Sequence, residues 1–388
     1  MSGLGEGGLG EGPLGGSIST ILIAEGPPPD VLSGAAGWAP TAASWLDGEL
    51  LALDIPVVSG RLSVVGSARV PEEVVFTVPD VVDGFSWVPG EDPRHPLARF
   101  GQQIDLGIDV TSPLTGGVSH WRLGRFRVHD WAWDDLAGTV TVTCWGILTR
   151  AQEAKFTVPE TPRAGGTFAS EFRRLMVPGV PVFIDSGLAD RPVPQSLQYP
   201  SDRLDTLYAI ADAWPARILT DRWGTVNVLA PLPLVPSPLW LLSDGEGGVL
   251  VSAPRLDTRT GLYNVVVGTS SALDTTAMSP VRAVAQITTG PLKVTDDGTG
   301  YGPVVYEWSL PLAVTQAEMQ ASVDTMVVEK ARPSVISTVH CAPDPRIGLS
   351  DPASVSRAGE TWWGYVVAYE LPLTVRDGDM RIDIGVTS

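Results

Sequence analysis

The sequence predicts a mainly β protein, in which two antiparallel β-barrel or sandwich domains flank a small helix-containing α+β module. Three observations lead there. Val140, Val142 and Cys144 alternate without a slip with Thr139, Thr141 and Thr143, the period of a strand with one buried face. A similar hairpin pattern recurs close to the C-terminus. The 42 glycines and 34 prolines cut the chain into many short segments, as a turn-rich β protein requires.

Residues 1–45 read as a Gly/Pro-rich N-terminal arm. Gly3, Gly5 and Gly8 match the GxGxxG spacing of a dinucleotide fold, but no strand precedes them and no helical pattern follows, so the motif fails its context. Residues 46–155 form the first β domain. Leu51, Leu53 and Ile55 alternate; Leu62–Val65 and Val74–Val78 follow; Ile104, Leu106 and Ile108 then share one face. The domain closes on a long hairpin, Trp121–Leu148. Phe126 and Val128 lie out of phase with Trp131 and Trp133, so a bulge is expected near Asp130, with the turn at Asp134–Gly138.

Residues 156–232 change texture. Thr167 is placed to cap a helix through Phe168, Phe172 and Leu175, and Ser201 a second helix through Leu204, Leu207, Tyr208 and Ala211. A short hairpin around Asp221–Gly224 ends this module. From 233 to 388 strands resume as a second β domain. It carries one inserted helix, at about 316–331, announced by the capping box Thr315-x-x-Glu318. Its last hairpin, Thr361–Val386, repeats the spacing of the first. Gly364, Glu370, Leu371, Leu373, Gly378, Met380, Ile382 and Ile384 fall at a constant offset of 240 from Gly124, Asp130, Trp131, Trp133, Gly138, Val140, Val142 and Cys144. That offset points to an internal duplication.

The net charge of −18 excludes a protein that grips nucleic acid through phosphate neutralisation, since basic residues number only 26 against 44 acidic. Two cysteines, Cys144 and Cys341, provide no disulfide framework, and Cys144 is expected as a small buried hydrophobe. Apolar runs are too short for an integral membrane segment, and the N-terminus lacks the regions of a signal peptide, so synthesis in the cytosol is expected.

A catalytic constellation does not emerge. His95, His120, His129 and His340 form no HExxH or similar ligand spacing, and no nucleophile elbow, phosphate-binding loop or CxxC occurs. Asp134-Asp135 and Asp296-Asp297-Gly298 read as turns, and Asp105 and Asp109 as solvated strand residues. No cofactor, metal or enzymatic activity is therefore expected. The remaining candidates are the aromatic residues Trp131, Trp133, Trp145, Trp362 and Trp363. They suit packing or a subunit interface; the alternative is a tryptophan-rich carbohydrate-binding β protein of a virion or cell surface.

The order of elements carries a resemblance. A G-x-F-x-V…G-T-V-T-V-T-C-W-G hairpin precedes Lys155-Phe156, a helix, S-x-x-L-x-x-L-Y-x-I-A-x-A-W and R-I-L-T-D-R-W-G-T-V. The chain ends on D-P-A-S-V…G-E-T-W-W-G-Y-V-V…D-G-D-M-R-I-D-I. Over residues 46–388 this resembles the baseplate hub, or tail-tip hub (minor tail), proteins of long-tailed bacteriophages. The resemblance implies two domains similar to the tail-tube protein in each subunit, and a homotrimer that forms a pseudo-sixfold ring continuing the tail tube. It also implies a location at the virion tail tip after synthesis in the host cytoplasm. The implied partners are the distal tail protein, tail tube, tape-measure protein and tail fibre or tip proteins. DNA would pass through transiently, without stable nucleic-acid binding.

Overall fold

A computed structural model describes residues 37–386, apart from 114, 195–197, 234–236, 255–260, 271–280, 296, 298, 311–314 and 332–335. In chain order the first β region comprises β1 (Gly37–Leu46), β2 (Glu49–Ala52), β3 (Ser59–Val65), β4 (Glu72–Pro79), the short β5 (Val81–Val82) and β6 (Phe85–Ser86), β7 (Gln103–Thr111), β8 (Val118–Asp134) and β9 (Thr139–Trp145). The middle module contains α1 (Thr149–Glu153), α2 (Phe168–Leu175), β10 (Val182–Ile184), α3 (Arg203–Ala213), β11 (Arg217–Thr220) and β12 (Val226–Leu229). Then follow β13 (Trp240–Ser243), β14 (Leu250–Ser252), β15 (Val265–Thr269), β16 (Arg282–Gln286), β17 (Val305–Ser309), α4 (Gln316–Lys330), β18 (Ile336–Cys341), β19 (Pro352–Arg357), β20 (Glu360–Pro372) and β21 (Met380–Val386).

The alternation of β9 is realised residue by residue. Val140, Val142 and Cys144 are fully buried and the threonines between them are not. Each such side chain removed from water contributes roughly 1.5–3 kcal/mol. The phase change in β8 is a bulge at His129, between Val128, opposite Cys144, and Asp130, opposite Thr143. The turn is held by Asp134, whose Oδ1 accepts from the N–H groups of Leu136 and Ala137 at 3.0 and 2.9 Å.

A 13-stranded sheet runs through both β regions, and its two halves repeat one pattern. The first half reads β3-β4-β9-β8-β7-β1 with β2 outside; the second reads β14-β18-β21-β20-β19-β13. Read across the sheet, the six strands of each half, numbered by their order in the chain, give the same sequence, 2-3-6-5-4-1. Neighbours are antiparallel in both halves with one departure: β13 runs parallel to β19.

Detail extends the repeat. β20 carries its bulge at Val367, between Val366, opposite Ile384, and Ala368, opposite Asp383. Just before each bulge an N–H bonds to the residue preceding the neighbouring strand: Val128 to the Gln102 carbonyl and Val366 to the Asp351 carbonyl, both at 2.9 Å. The offset of 240 therefore holds for β9 and β21 but not for their partners. Tyr369, not Leu371, takes the place of Trp131, and Leu371 that of Trp133, an offset of 238. The difference is absorbed in the longer connection through Val375–Asp377.

The halves join because β20 outruns its own domain. Ala368–Pro372 pair with Val65–Arg61 of β3, so the distal end of β20 lies between β21 and β3. At this joint Leu373 N–H donates to the Gly60 carbonyl, Gly60 N–H to Asp377 Oδ2, and Trp38 Nε1 to the Leu373 carbonyl. Gly60 is required by close approach: a Cβ there would lie 2.7 Å from the Val75 carbonyl oxygen and 2.8 Å from Leu373. One apolar core spans the joint, from Val74, Phe76 and Val142 to Val339, Leu371 and Ile382.

Two smaller cores lie beside it. Phe172, Leu204, Leu207 and Val228 centre the middle module. Thr167 caps α2 with a reciprocal box to Ser170, whereas α3 is capped by Asp202 and not by Ser201. The third core joins α4 to a separate sheet, β16-β15-β17, through Val266, Met319 and Val323. The insertion in the second β region is thus an α+β unit of 265–330 rather than a lone helix, since β15–β17 pair only with one another among the described strands. Thr315 and Glu318 form the expected capping box.

Residues 37–46, placed in the N-terminal arm by composition, form β1, which pairs along its length with β7 and buries Ala42 and Ser44. Of the arm, residues 1–36 lie outside the described residues, as do Asp296 and Gly298 of the expected turn. No helix among the described residues is long and apolar enough to cross a membrane.

Candidate functional site

The histidines do not converge. His95 is buried, bonded through its ring to Leu97 N–H and the Ser86 carbonyl and stacked on Phe85. His120 pairs with Asp109 at 2.8 Å and His340 with Asp379 at 2.9 Å. His129, at the bulge, stacks on Trp145 with ring centres 3.7 Å apart. Among the described residues no group of three or more His, Cys, Asp or Glu could hold a metal ion. Burial pushes the Cys341 thiol up to about 12 and Cys144 higher still, so neither is poised as a nucleophile. Asp105 departs from the solvated role expected of it: Arg122 and Arg125 clamp it at 2.6 and 2.8 Å.

The five tryptophans divide between the two faces and two ends of the large sheet. Trp131 and Trp133 stand opposite Val142 and Val140, on the core side of β8; Trp131 packs into the core and Trp133 at the rim is 52% exposed. Trp145, one residue on from buried Cys144, takes the other face. In β20, Trp362 is buried and its Nε1 donates to Ser337 Oγ at 3.1 Å, while its neighbour Trp363 is turned outward and half-exposed. This distribution does not build a flat stacking platform.

A cleft of about 640 Å³ lies where the three regions meet, lined by Leu62, Glu72, Arg125, Arg222, Asp351 and Tyr369 among others. Arg222, on the β11–β12 turn, reaches across it. Its guanidinium packs over the Trp121 ring at 4.9 Å and donates to the Pro345 and Arg346 carbonyls at 2.7 and 2.9 Å. Burial lowers its pKa, but an arginine so far above neutrality stays charged. One side chain thus ties the middle module to both β regions. Composition carries no signal for this, because the hydrogen bonds go to backbone carbonyls and the Trp121 ring lies about a hundred residues away in sequence.

Glu72, at the start of β4, is the unusual group in the cleft. Its Oε2 is out of contact with solvent although the residue keeps some exposure, and burial raises the carboxyl to about 7. The smaller opposing effects come from its own backbone and the Thr220 hydroxyl. Asp351 is also raised by burial, against the Trp240 Nε1 that donates to it at 2.9 Å. Asp351 also accepts the Gly348 N–H at 2.8 Å and lies near the Arg222 charge, whereas the Glu72 Oε2 has no hydrogen-bond partner.

No family model and no curated protein matches the sequence. Solved structures do match its fold. The tail protein from Neisseria meningitidis MC58 aligns with a TM-score of 0.61 at 10% identity, covering 90% of this chain and 96% of that one. The prophage MuSo2 43 kDa tail protein from Shewanella oneidensis aligns at 0.56 and 9% identity, covering 89% and 98%. The prophage tail protein gp18 from Listeria monocytogenes EGD-e aligns at 0.51 and 11% identity, covering 89% and 94%. The fold is therefore that of phage tail proteins, shared along nearly the whole length of each.

Proposed function

We propose that the chain is the structural hub of a phage tail tip or baseplate. Three copies form a ring that continues the tail tube, anchors distal tail proteins and lets DNA and the tape-measure protein pass. The observation that carries this reading is the repeat itself: two halves with the same six-strand order, the same bulge and the same bond beside it. A subunit with two alike domains gives six alike positions from three copies, which matches a ring of threefold symmetry to a tube of sixfold symmetry.

The role is mechanical, without catalysis. Surrounding tail components, the distal tail protein, tube, tape measure and fibre or tip proteins, are the partners, and the site of action is the virion. The net charge of −18 suits a channel through which DNA must slide, because like charges disfavour adhesion within roughly 8 Å at physiological salt. Native mass measurement of the full chain together with its tail neighbours tests the assembly. A threefold complement of this chain supports the hub; a single copy per complex contradicts it. A carbohydrate-binding role predicts instead that cell-wall glycans shift the tryptophan fluorescence of an isolated chain.

A further inference from the structure

The cleft where the three regions meet has a charge balance opposite to that of the chain. The whole sequence carries 26 basic residues against 44 acidic. The cleft is lined by Arg125, Arg217, Arg222 and Arg346 against Glu72, Asp221 and Asp351. Burial raises Glu72 to about 7, which reduces its charge at neutrality and tips the balance further towards positive.

Arg222 keeps an uncompensated charge there. Arg125 is paired with Asp105 at 2.8 Å and Arg346 with Asp344 at 2.7 Å. The lining aspartates are held by N–H groups: Asp221 accepts from Trp223 and Thr225, and Asp351 from Gly348 and the Trp240 indole. Asp344 and Asp351 act on Arg222 only through space, and no carboxylate among the described residues bonds to it. Its two hydrogen bonds, to the Pro345 and Arg346 carbonyls, both leave from Nη2, so Nε and Nη1 remain to donate. The Trp121 ring and the two carbonyls already fix the guanidinium, so little ordering is lost when an acceptor arrives.

Unmet groups lie in the same cleft. Glu72 Oε2 and Thr220 Oγ1 are shielded from solvent and without a hydrogen-bond partner, though the hydroxyl is near enough to act on the carboxyl. Tyr369 senses the charges of both Arg222 and Glu72. A buried polar atom without a partner is costly, and an occupant with matching groups recovers that cost. Much of the remaining wall is apolar, with Leu219, Leu229 and Leu349 half-buried. The volume of about 640 Å³ is that of a small-molecule site. Independently of the hub reading, we infer that this cleft binds a small monocarboxylate with an apolar body. The carboxylate takes a charge-assisted hydrogen bond from Arg222 and another from Thr220, two residues earlier on the same hairpin, while the tail lies against the leucines.

Isothermal titration of the full chain with octanoate, octanol and octylammonium tests the inference. Octanoate should bind saturably, one molecule per chain, and the other two at least about tenfold more weakly. Arg222→Gln should weaken octanoate by about tenfold or more and leave octanol unchanged. Because Arg222 also ties the regions together, Thr220→Val, which breaks none of those ties, provides a second variant; it should weaken octanoate severalfold with circular dichroism unchanged. Bromine-tagged octanoate should quench tryptophan emission, and less so in Trp121→Phe. The inference is overturned by an absence of saturable octanoate binding, by octanol binding as tightly, or by a preference for octylammonium. Octanoate affinity unmoved in both Arg222→Gln and Thr220→Val overturns it equally.

Discussion

Replacing Glu72 by glutamine should flatten the pH dependence of stability between about pH 4.5 and about pH 7. Burial raises this carboxyl from 4.5 to about 7, so the folded protein holds its proton more tightly than the unfolded chain does. The associated stability is fully present below about pH 4.5 and is lost as pH rises through about 7. At roughly 1.4 kcal/mol per unit of pKa, the full shift would correspond to about 3–4 kcal/mol. Solvent reaching the part of Glu72 that faces the cleft reduces this, so a difference of about 1–3 kcal/mol is expected. The assay is urea unfolding of both proteins, followed by circular dichroism between about pH 5 and about pH 8.5. Wild type should lose about 1–3 kcal/mol more than Glu72→Gln across that range. Asp212, raised to about 6 by burial, and Asp351 titrate in both proteins, so the difference isolates Glu72. Parallel profiles would refute the burial of that carboxyl.

Three substitutions probe the framework. Leu371→Ala removes a side chain buried against β3 at the joint of the two halves, and should cost about 2–5 kcal/mol in denaturant unfolding. Gly364→Ala places a Cβ onto the Gly385 carbonyl where β20 and β21 begin to pair; about 2 kcal/mol or more should be lost, read as a lower melting temperature. Glu171→Ala leaves Arg174, which donates to it at 2.7 Å, and the Tyr199 hydroxyl without their buried acceptor. Arg174 keeps Glu160 at 2.9 Å, so the expected loss is about 3 kcal/mol, seen as early unfolding of the middle module.

Much of the fold was legible where local chemistry is strong. The threonine–valine alternation of β9, the bulge before Asp130 and the reciprocal box at Thr315 each depend on residues close in sequence. The N-terminal strand was hidden because Gly37, Ala39, Pro40 and Ala42–Ala43 lack β-branched residues, and pairing with β7 alone makes them a strand. β15–β17 looked like more of the large sheet, since a strand's pattern names its buried face and not its neighbours. The 240-residue offset found the repeat but mismatched β8 and β20 by two residues, because identical glycine spacing concealed a longer turn. Of the candidate site, Trp131 and Trp133 were visible as aromatic residues on a patterned strand. That Leu371 takes Trp133's place and is covered by β3 depends on pairing between distant strands, which the pattern of either strand alone does not carry.

The central claim is that three copies supply six alike positions. An image of the tail tip resolving individual strands tests it most directly. A ring of three chains is expected, with the two halves of each chain alternating around the axis. A single chain on the axis, or a ring of six chains with only one half facing the channel, would contradict it.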